Sequence, residues 1–208
     1  MNEETYILNH IDGEDKLLTE LYRKAHVQLL RPRMLAGHLQ GRILKMLVRM
    51  HRPQRMLEIG TYTGYATLCL AEGLPDDGEI HTVEMDDEME DFIRENFKRS
   101  PFKDKIRLHI GDVREIIPRL DGLFDMVYID GDKREYCDYF DLVFDRVRQG
   151  GIILADNTLW NGKVLETPLP NDQQTLGIVR FNEKMKEDRR IEKIILPLRD
   201  GLTVIYKL

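Results

Sequence analysis

Two carboxylates and a carboxamide stand at the ends of two successive apolar segments of the chain. Asp130 follows the run FDMVYI, and Asp156 and Asn157 follow the run GIILA. In a parallel sheet the carboxyl ends of such strands lie at one edge, so these side chains are expected to converge. Hard oxygen ligands without histidine or thiolate favour Mg²⁺, Mn²⁺ or Ca²⁺ over zinc. The pairing indicates a divalent-cation site, although a helix cap and an Asx-turn would explain either strand end alone.

A lysine accompanies this candidate site. Lys133 lies three residues after Asp130, at the predicted start of the next helix, within reach of an oxygen bound to the cation. A nearby cation and a closed pocket both disfavour a charged lysine, which is the direction that a general base at neutral pH requires. The alternative is a solvated lysine in a first helical turn, where Asp132 and Glu135 form a capping box. The residues alone favour that alternative.

A glycine-rich turn follows an earlier apolar run and leads into a predicted helix. It begins at Glu58 and places Gly60 and Gly64 four residues apart, with Thr61 between them. Glycines at such a turn allow close approach of the backbone to a ligand. The pattern is not G-x-G-x-x-G, and the Glu58 carboxylate would repel a pyrophosphate at the helix N-terminus. A cofactor with a cationic amino group and no phosphate, such as S-adenosylmethionine, fits better.

Two further strand ends extend this pocket. Glu84 ends the second apolar run, where a carboxylate can accept hydrogen bonds from both ribose hydroxyls of an adenosine cofactor. Asp112 and Val113 follow the third run and provide an acceptor and an apolar wall for an adenine ring. Turn glycines and acidic helix caps would explain each feature separately. Their order on adjacent strands predicts one adenosine pocket.

The elements that position these residues alternate between short apolar runs and segments of helical period. This alternation predicts an α/β, doubly wound, Rossmann-like seven-stranded sheet with helices on both faces. The sheet is expected to be mostly parallel, with an antiparallel C-terminal hairpin strand. The five parallel strands are predicted at 55–59, 79–84, 106–110, 124–129 and 151–155. Helices are predicted from near Thr63, on a stripe of Met89, Phe92, Ile93 and Phe97, and on a stripe of Tyr136, Tyr139, Phe140, Val143 and Val147.

The two ends of the chain differ from this middle. Amphipathic helices at 15–30 and 39–50 are separated by Arg31-Pro32 and predict an N-terminal cap. An irregular stretch at 158–174, long enough to be a lid, precedes a helix at 175–188. A hairpin is expected from strands at 191–196 and 202–206. The interpretation is a single domain, 1–208, with a helical cap at 1–50 and a Rossmann-like core at 55–208.

The composition narrows the function classes. A chain of 208 residues, 42% hydrophobic, suits one domain. Its formal net charge of −6 makes nucleic acid an unexpected partner. Cys69 and Cys137 belong to no metal-spaced cluster and are predicted to be buried thiols. Neither an apolar leader nor a stretch of membrane-spanning length is present, so the expected location is cytoplasmic with no membrane partner.

Three motifs together resemble a known family. They are MLEIGTYTGYA at 56–66, YIDGDKREY at 128–136 and DNTLWNG at 156–162, each in the expected order and strand context. The chain is similar to the cation-dependent catechol and caffeoyl-coenzyme A O-methyltransferases, including their small bacterial members. The resemblance covers nearly the whole chain, and it implies a homodimer.

The resemblance implies roles for the residues that follow the fourth and fifth predicted strands. It implies that Asp130, Asp156 and Asn157 hold the cation, Mg²⁺ before Mn²⁺ or Ca²⁺, which also binds two neighbouring substrate oxygens. Lys133, with Asp130, is implied to be catalytic and to remove the hydroxyl proton before methyl transfer from S-adenosylmethionine. Lys133 and Trp160 are implied to contact the substrate, Trp160 at the pocket mouth.

The resemblance also assigns the cofactor pocket. Many relatives carry hydroxyl residues where this chain has Ala36 and Ala66, which predicts weaker hydrogen bonding to the methionine end of the cofactor. The implied cofactor-binding residues are Met34, Ala36, Glu58, Gly60, Thr61, Ala66, Glu84, Asp112, Val113 and Asp130.

The favoured function is methylation of a hydroxyl on a small catechol-like aromatic. One alternative keeps the chemistry and places the acceptor on a hydroxylated uridine in tRNA. The net charge argues against tRNA, whereas a local excess of arginine near the N-terminus favours it. A non-catalytic cofactor-binding domain is the third alternative, and the retention of all three predicted ligands and Lys133 argues against it. The arginines are Arg31, Arg33, Arg42, Arg49, Arg52 and Arg55.

Overall fold

Seven strands form one mixed sheet in the computed structural model, which describes residues 3–208. The strands are β1 (Arg55–Ile59), β2 (Glu79–Glu84), β3 (Ile106–Ile110), β4 (Phe124–Ile129), β5 (Val147–Asp156), β6 (Ile191–Leu196) and β7 (Leu202–Lys207). The sheet order is β3-β2-β1-β4-β5-β7-β6, and β7 pairs antiparallel with both β5 and β6 while the other pairs are parallel. The predicted fold class is confirmed.

The strand register positions the candidate site. Ile59 pairs with Ile129, and Ile129 pairs with Ala155, so the next residue of each strand reaches the same edge. Chain order reverses between β1 and β4, and ligands of doubly wound sheets bind at such a switch point, outside the carboxyl ends of the strands. Gly60, Asp130 and Asp156 therefore meet at this edge.

Helices cover both faces of the sheet and bury two apolar clusters. The α-helices are α1 (Glu3–Leu8), α2 (Lys16–Gln28), α3 (Gly37–His51), α4 (Tyr65–Gly73), α5 (Glu90–Arg99), α6 (Val113–Ile116), α7 (Tyr136–Phe144) and α8 (Gln173–Glu187). The cap helices α2 and α3, with α4 and α5, contribute to one cluster, and α6, α7 and α8 contribute to the other. Short 3₁₀ turns lie at Pro32–Met34, Asp87–Met89, Lys103–Lys105, Ile117–Arg119, Lys133–Glu135 and Trp160–Leu165.

Three local predictions are corrected. Val147 was expected on a helical stripe, but α7 ends at Phe144 and Val147 begins β5, where it pairs with Phe124 across an irregular register. The irregular stretch at 158–174 contains the 3₁₀ turn Trp160–Leu165, and α8 already begins at its end. Both cysteines were expected to be buried, whereas Cys69 is buried and Cys137 is only partly buried.

The remaining boundaries agree with the predictions to within a few residues. The side chain of Asp172 accepts a hydrogen bond from the Thr175 backbone amide at 2.9 Å, which caps α8 and explains its start. Within residues 3–208, every helix is too short or too polar to cross a membrane.

Candidate active site

The glycine turn after β1 is shaped by contacts within the protein. Gly60 and Gly64 have φ angles of +93° and +81°, in the left-handed region that favours glycine. A Cβ atom at Gly60 would lie 2.4 Å from the backbone oxygen of Asp130, and one at Gly64 would lie 2.3 Å from the ring of Phe97. The glycines therefore let the turn pack against β4 and α5, and a close approach to a cofactor stays a prediction.

Glu58 provides a buried acceptor at this turn. Its Oε2 atom accepts hydrogen bonds from the hydroxyls of Thr67 and Thr82, the latter at 2.6 Å. Its Oε1 atom is buried and has no hydrogen-bond partner among the described residues. Burial raises the pKa of Glu58 to about 8. An unpaired oxygen of this carboxyl group fits the cationic amino group of the predicted cofactor, whose charge would favour the ionised form once bound.

The raised pKa of Glu58 predicts a pH-dependent stability. The unfolded chain releases this proton near pH 4.5, whereas the folded chain holds it to about pH 8, so the native state binds more protons between these values. The contribution of Glu58 to the stability therefore falls as pH rises through this window. Glu58→Gln has no proton to release here. Its free energy of unfolding should therefore rise relative to that of the wild type, by up to about 1.4 kcal/mol per pH unit. Urea unfolding between pH 5 and 8.5 measures it.

The exposed Glu88 provides the control for this experiment. Glu88→Gln should follow the wild-type dependence at every pH. A constant stability difference between Glu58→Gln and wild type across the window would contradict the assignment.

Glu84 supports the glycine turn from the end of β2. Its Oε2 atom accepts hydrogen bonds from the backbone amides of Thr61 at 3.0 Å and Tyr62 at 2.6 Å, and Oε1 accepts from the Asp86 amide at 3.0 Å. These bonds use three of the roughly four acceptor positions of a carboxylate. Glu84 is therefore a structural part of the turn, and its contact with a ribose stays a prediction.

The residues predicted around the adenine have clear roles in the protein itself. Asp112 caps α6 by accepting a hydrogen bond from the Arg114 amide at 2.8 Å, and Val113 is buried in the cluster beneath α6 to α8. Both residues follow β3 at the same edge of the sheet as Glu84. The structure is compatible with an adenine site there, which stays a prediction.

The cap residues predicted for the cofactor differ in exposure. Met34 is 54% exposed in its 3₁₀ turn, whereas Ala36 is buried immediately before α3. Ala66 is partly buried near the start of α4. Arg199, in the hairpin between β6 and β7, donates hydrogen bonds to the backbone carbonyls of Leu35 and Ala36. The C-terminal hairpin thus holds the cap beside the strand ends.

The predicted cation ligands lie at the ends of β4 and β5. Asp156 is buried, and its Oδ2 atom accepts hydrogen bonds from the Tyr128 hydroxyl at 2.8 Å and from the Gln40 amide. Its Oδ1 atom accepts the Asn157 backbone amide at 2.8 Å. The Asn157 side chain bonds to none of the described residues. The Asn157 backbone is left-handed, with a φ angle of +57°. It is therefore free to provide an oxygen ligand.

The donor set fits a hard cation that also takes external oxygens. Residues 3–208 contain no group of three His, Cys, Asp or Glu side chains arranged to hold a metal ion. Two carboxylates and one amide would leave coordination positions for water or for substrate oxygens. The set is therefore compatible with a catalytic cation, and the assignment of Asp130, Asp156 and Asn157 stays a prediction.

Lys133 lies inside the site. It is only 7% exposed, and its Nζ atom donates hydrogen bonds to Asp130 Oδ1 at 2.8 Å and to the Tyr136 hydroxyl at 2.6 Å. Burial raises the pKa of Asp130, and the adjacent lysine opposes that rise. Asp132 caps the turn through the Arg134 amide, while Glu135 pairs with Arg114 at 3.1 Å. The alternative of a solvated first-turn lysine is therefore wrong.

A glycine of α8 packs directly against this lysine segment. A Cβ atom at Gly177 would lie 2.3 Å from the backbone oxygen of Lys133 and 2.8 Å from the Cα atom of Arg134. Alanine normally stabilises a helix interior by about 1 kcal/mol relative to glycine. Here the clash should outweigh that gain, because backbone atoms on both sides must move.

Gly177→Ala is expected to lower the stability by about 1–3 kcal/mol and the turnover by about tenfold or more, because Lys133 is displaced. Thermal unfolding and steady-state kinetics measure the two effects. Gly13→Ala is the matched control, since no atom beyond the two neighbouring residues lies within 4 Å of the added Cβ. A stabilised, fully active Gly177→Ala would contradict the packing argument.

Trp160 lies on the loop that follows β5. Trp160, Asn161 and Gly162 have consecutive positive φ angles of 47°, 53° and 76°, a rare run for residues with side chains. The backbone oxygen of Asp200 accepts the amides of Leu159 at 2.6 Å and Trp160 at 3.2 Å, so the C-terminal hairpin supports the loop. The indole Nε1 atom is buried without a partner among the described residues. Its role at the substrate stays a prediction.

Four side chains of the site were not predicted from the sequence. Tyr128 and Tyr136 lie within the second quoted motif, and their buried hydroxyls next to Asp156 and Lys133 give them a role there. Gln40 and Arg199 lie in the cap and in the last hairpin, far from any motif. Only the three-dimensional contacts identify these two.

Comparisons with known proteins identify the family of the chain. The family model described as O-methyltransferase matches residues 9–208. A Eucalyptus globulus protein named caffeoyl-CoA O-methyltransferase 2 is 36% identical over 186 residues, covering 79% of this chain and 71% of its own.

Two solved structures resemble the whole chain. The Podospora anserina methyltransferase PaMTH1, bound to SAH, has a TM-score of 0.90 and 30% identity, covering 100% of this chain and 97% of its own. The Streptomyces achromogenes O-methyltransferase TomG, in complex with SAM, has a TM-score of 0.89 and 27% identity, covering 100% and 99%. The chain belongs to the O-methyltransferase family, and the predictions of this family and of an O-methyltransferase enzyme are confirmed.

Proposed function

We propose that this enzyme is a divalent-cation-dependent O-methyltransferase that methylates a hydroxyl of a small catechol-like aromatic with S-adenosylmethionine. The observation that carries the proposal is the buried Lys133, held by Asp130 and Tyr136 beside Asp156 at one edge of the sheet. This arrangement offers a proton acceptor next to oxygen ligands, which deprotonation of a hydroxyl requires.

The cofactor assignment rests on the turn after β1. The unpaired Glu58 Oε1 atom is an acceptor for a cationic amino group, and the turn has no pyrophosphate fingerprint. Two similar structures are described with SAM or SAH bound. Met34, Ala36, Gly60, Thr61, Ala66, Glu84, Asp112, Val113 and Asp130 complete the proposed cofactor pocket.

The residues at the strand ends would bind the cation and accept the substrate proton. Asp130, Asp156 and Asn157 would hold the cation, Mg²⁺ before Mn²⁺ or Ca²⁺. When bound, the cation would lower the pKa of a substrate hydroxyl and fix its orientation. Lys133 would take the hydroxyl proton at Nζ. The ammonium formed would donate to Asp130 and Tyr136, the two partners that it contacts in the structure.

Methyl transfer from labelled S-adenosylmethionine tests the function. The acceptors are caffeate, caffeoyl-coenzyme A and a dihydroxybenzoate, each with Mg²⁺ and again with excess chelator. We expect labelled product that disappears with chelator and returns when Mg²⁺ is restored. Product that persists in chelator would exclude the cation, and no product despite measured cofactor binding would exclude these acceptors.

The tRNA alternative receives less support than the arginine composition indicated. Arg42 is buried and paired with Glu72 at 2.9 Å, and Arg55 is paired with Glu79 at 3.1 Å. These two arginines are therefore already neutralised by partners inside the protein. Undermodified tRNA is the acceptor to assay if the aromatic acceptors yield no product.

The assembly and location complete the proposal. We expect a homodimer, as the family resemblance implies, and a cytoplasmic location. The contacts of Arg199 with Leu35 and Gln40 support a single domain of cap and core within each protomer. Light scattering of the purified protein measures the mass and tests the dimer.

A further inference from the structure

A glutamine of the cap reaches the end of β5. Gln40, on α3, is 1% exposed, and its Nε2 atom donates a hydrogen bond to Asp156 Oδ2. The same nitrogen lies 3.3 Å from the hydroxyl of Tyr128. On the other side, Gln40 Oε1 accepts a hydrogen bond from Arg199 Nη1 at 3.1 Å. One amide thus connects the last hairpin to a predicted cation ligand.

The two neighbours of this amide determine its direction. A guanidinium has donors and no acceptor, so Arg199 must face the amide oxygen. An ionised carboxylate has acceptors and no donor, so Asp156 must face the amide nitrogen. Both requirements are met by one orientation of Gln40, and a reversed amide would meet neither of them.

The hydrogen bonds also distinguish the two oxygens of Asp156. Oδ2 receives Gln40 and the Tyr128 hydroxyl, the latter at 2.8 Å, whereas Oδ1 receives only the Asn157 backbone amide. An oxygen with two donors has little acceptor capacity left. Oδ1 is therefore the oxygen available to a further partner, and its direction depends on the donors that fix Oδ2.

We propose that Gln40 is a positioning residue that orients the Asp156 carboxylate for the cation, and that Arg199 sets the direction of the Gln40 amide. This inference rests on the proposed function. Partners of this kind hold a metal ligand in its binding orientation, and their loss typically weakens metal binding by about 10- to 100-fold. The glutamine itself contacts neither cation nor substrate.

Direct Mn²⁺ binding, followed by electron paramagnetic resonance without substrate, tests the positioning role. Gln40→Met preserves the side-chain length and removes both hydrogen bonds. We expect Mn²⁺ affinity to fall by about tenfold or more, while calorimetry finds S-adenosylmethionine affinity within about threefold of wild type. Gln173→Met, at an exposed position at the start of α8, is the matched control and should bind Mn²⁺ as wild type does.

Variants of Arg199 keep the test decisive if Gln40→Met fails to fold, because Arg199 lies on the exposed side of the hairpin. Arg199→Met should weaken Mn²⁺ binding as Gln40→Met does, and Arg199→Lys should restore most of it because lysine still donates to the amide oxygen. Unchanged Mn²⁺ affinity in both Arg199→Met and a folded Gln40→Met would overturn the positioning role alone. Failure of the wild type to bind Mn²⁺ would overturn the proposed cation as well.

Discussion

Asp156→Ala is expected to reduce turnover by about 10³-fold, equal to about 4 kcal/mol of activation free energy. The carboxylate is one of only two in the proposed cation site, so its loss should release the cation. Affinity for S-adenosylmethionine should stay within a few-fold, because the proposed cofactor acceptor Glu58 lies on β1, two strands away from β5. Single-turnover kinetics and calorimetry measure the two effects.

The variant also removes the acceptor of two buried donors. Gln40 and the Tyr128 hydroxyl both bond to Asp156 Oδ2, and an unpaired buried donor costs about 1–3 kcal/mol. Thermal unfolding must therefore accompany the kinetics, and Asp156→Asn provides a second variant of nearly equal size. Asp77→Ala, at an exposed loop position, is the control. Unchanged turnover in folded Asp156→Ala would remove Asp156 from the reaction.

Lys133→Met is expected to lower kcat by about 10²- to 10⁴-fold, which is the usual contribution of a general base. KM for the aromatic acceptor should change by less than about threefold, because the lysine acts on the proton and the proposed cation binds the acceptor oxygens. Methionine preserves most of the apolar stem and removes the Nζ atom, which lies 4.8 Å from the centre of the Tyr136 ring. Steady-state kinetics with varied acceptor separates the two parameters.

The exposed Lys98 gives the matched control, since Lys98→Met removes the same charge far from the site. An effect confined to KM would make Lys133 a binding residue. A chemical test follows from the same reasoning: a variant without the base should recover activity at higher pH, where more of the acceptor is already ionised.

The main strands and helices, and the candidate site residues, could be predicted because local sequence patterns encode them. Each of the five parallel strands contains a short apolar run, and the polar residues at the strand ends place Glu84, Asp130 and Asp156 at one edge of the sheet. The positions of these residues at the strand ends are enough to predict that they meet, since the carboxyl ends of parallel strands in a doubly wound sheet lie at one edge. The position of Lys133 three residues after Asp130 is similarly local.

The parts that could not be predicted depend on contacts between distant segments. The Gln40 to Asp156 contact spans 116 residues, and the Arg199 to Leu35 contact spans 164. No sequence motif and no residue spacing predicts either contact. Val147 fitted the helical periodicity of the residues before it, but it pairs with Phe124 and extends β5. Here the tertiary contact outweighed the local hydrophobic periodicity.

The contact between Arg199 and the Leu35 carbonyl has a consequence for synthesis of the protein in the cell. Its two partners are 164 residues apart. At roughly 5–20 residues per second, a ribosome needs on the order of 10 to 30 s to make the intervening chain. During this interval the cap helices can already pack against α4 and α5, which follow them in the chain, whereas Arg199 is not yet available to the Leu35 carbonyl. The contact between the cap and the C-terminal hairpin is therefore among the last to form, after the hairpin has left the ribosome.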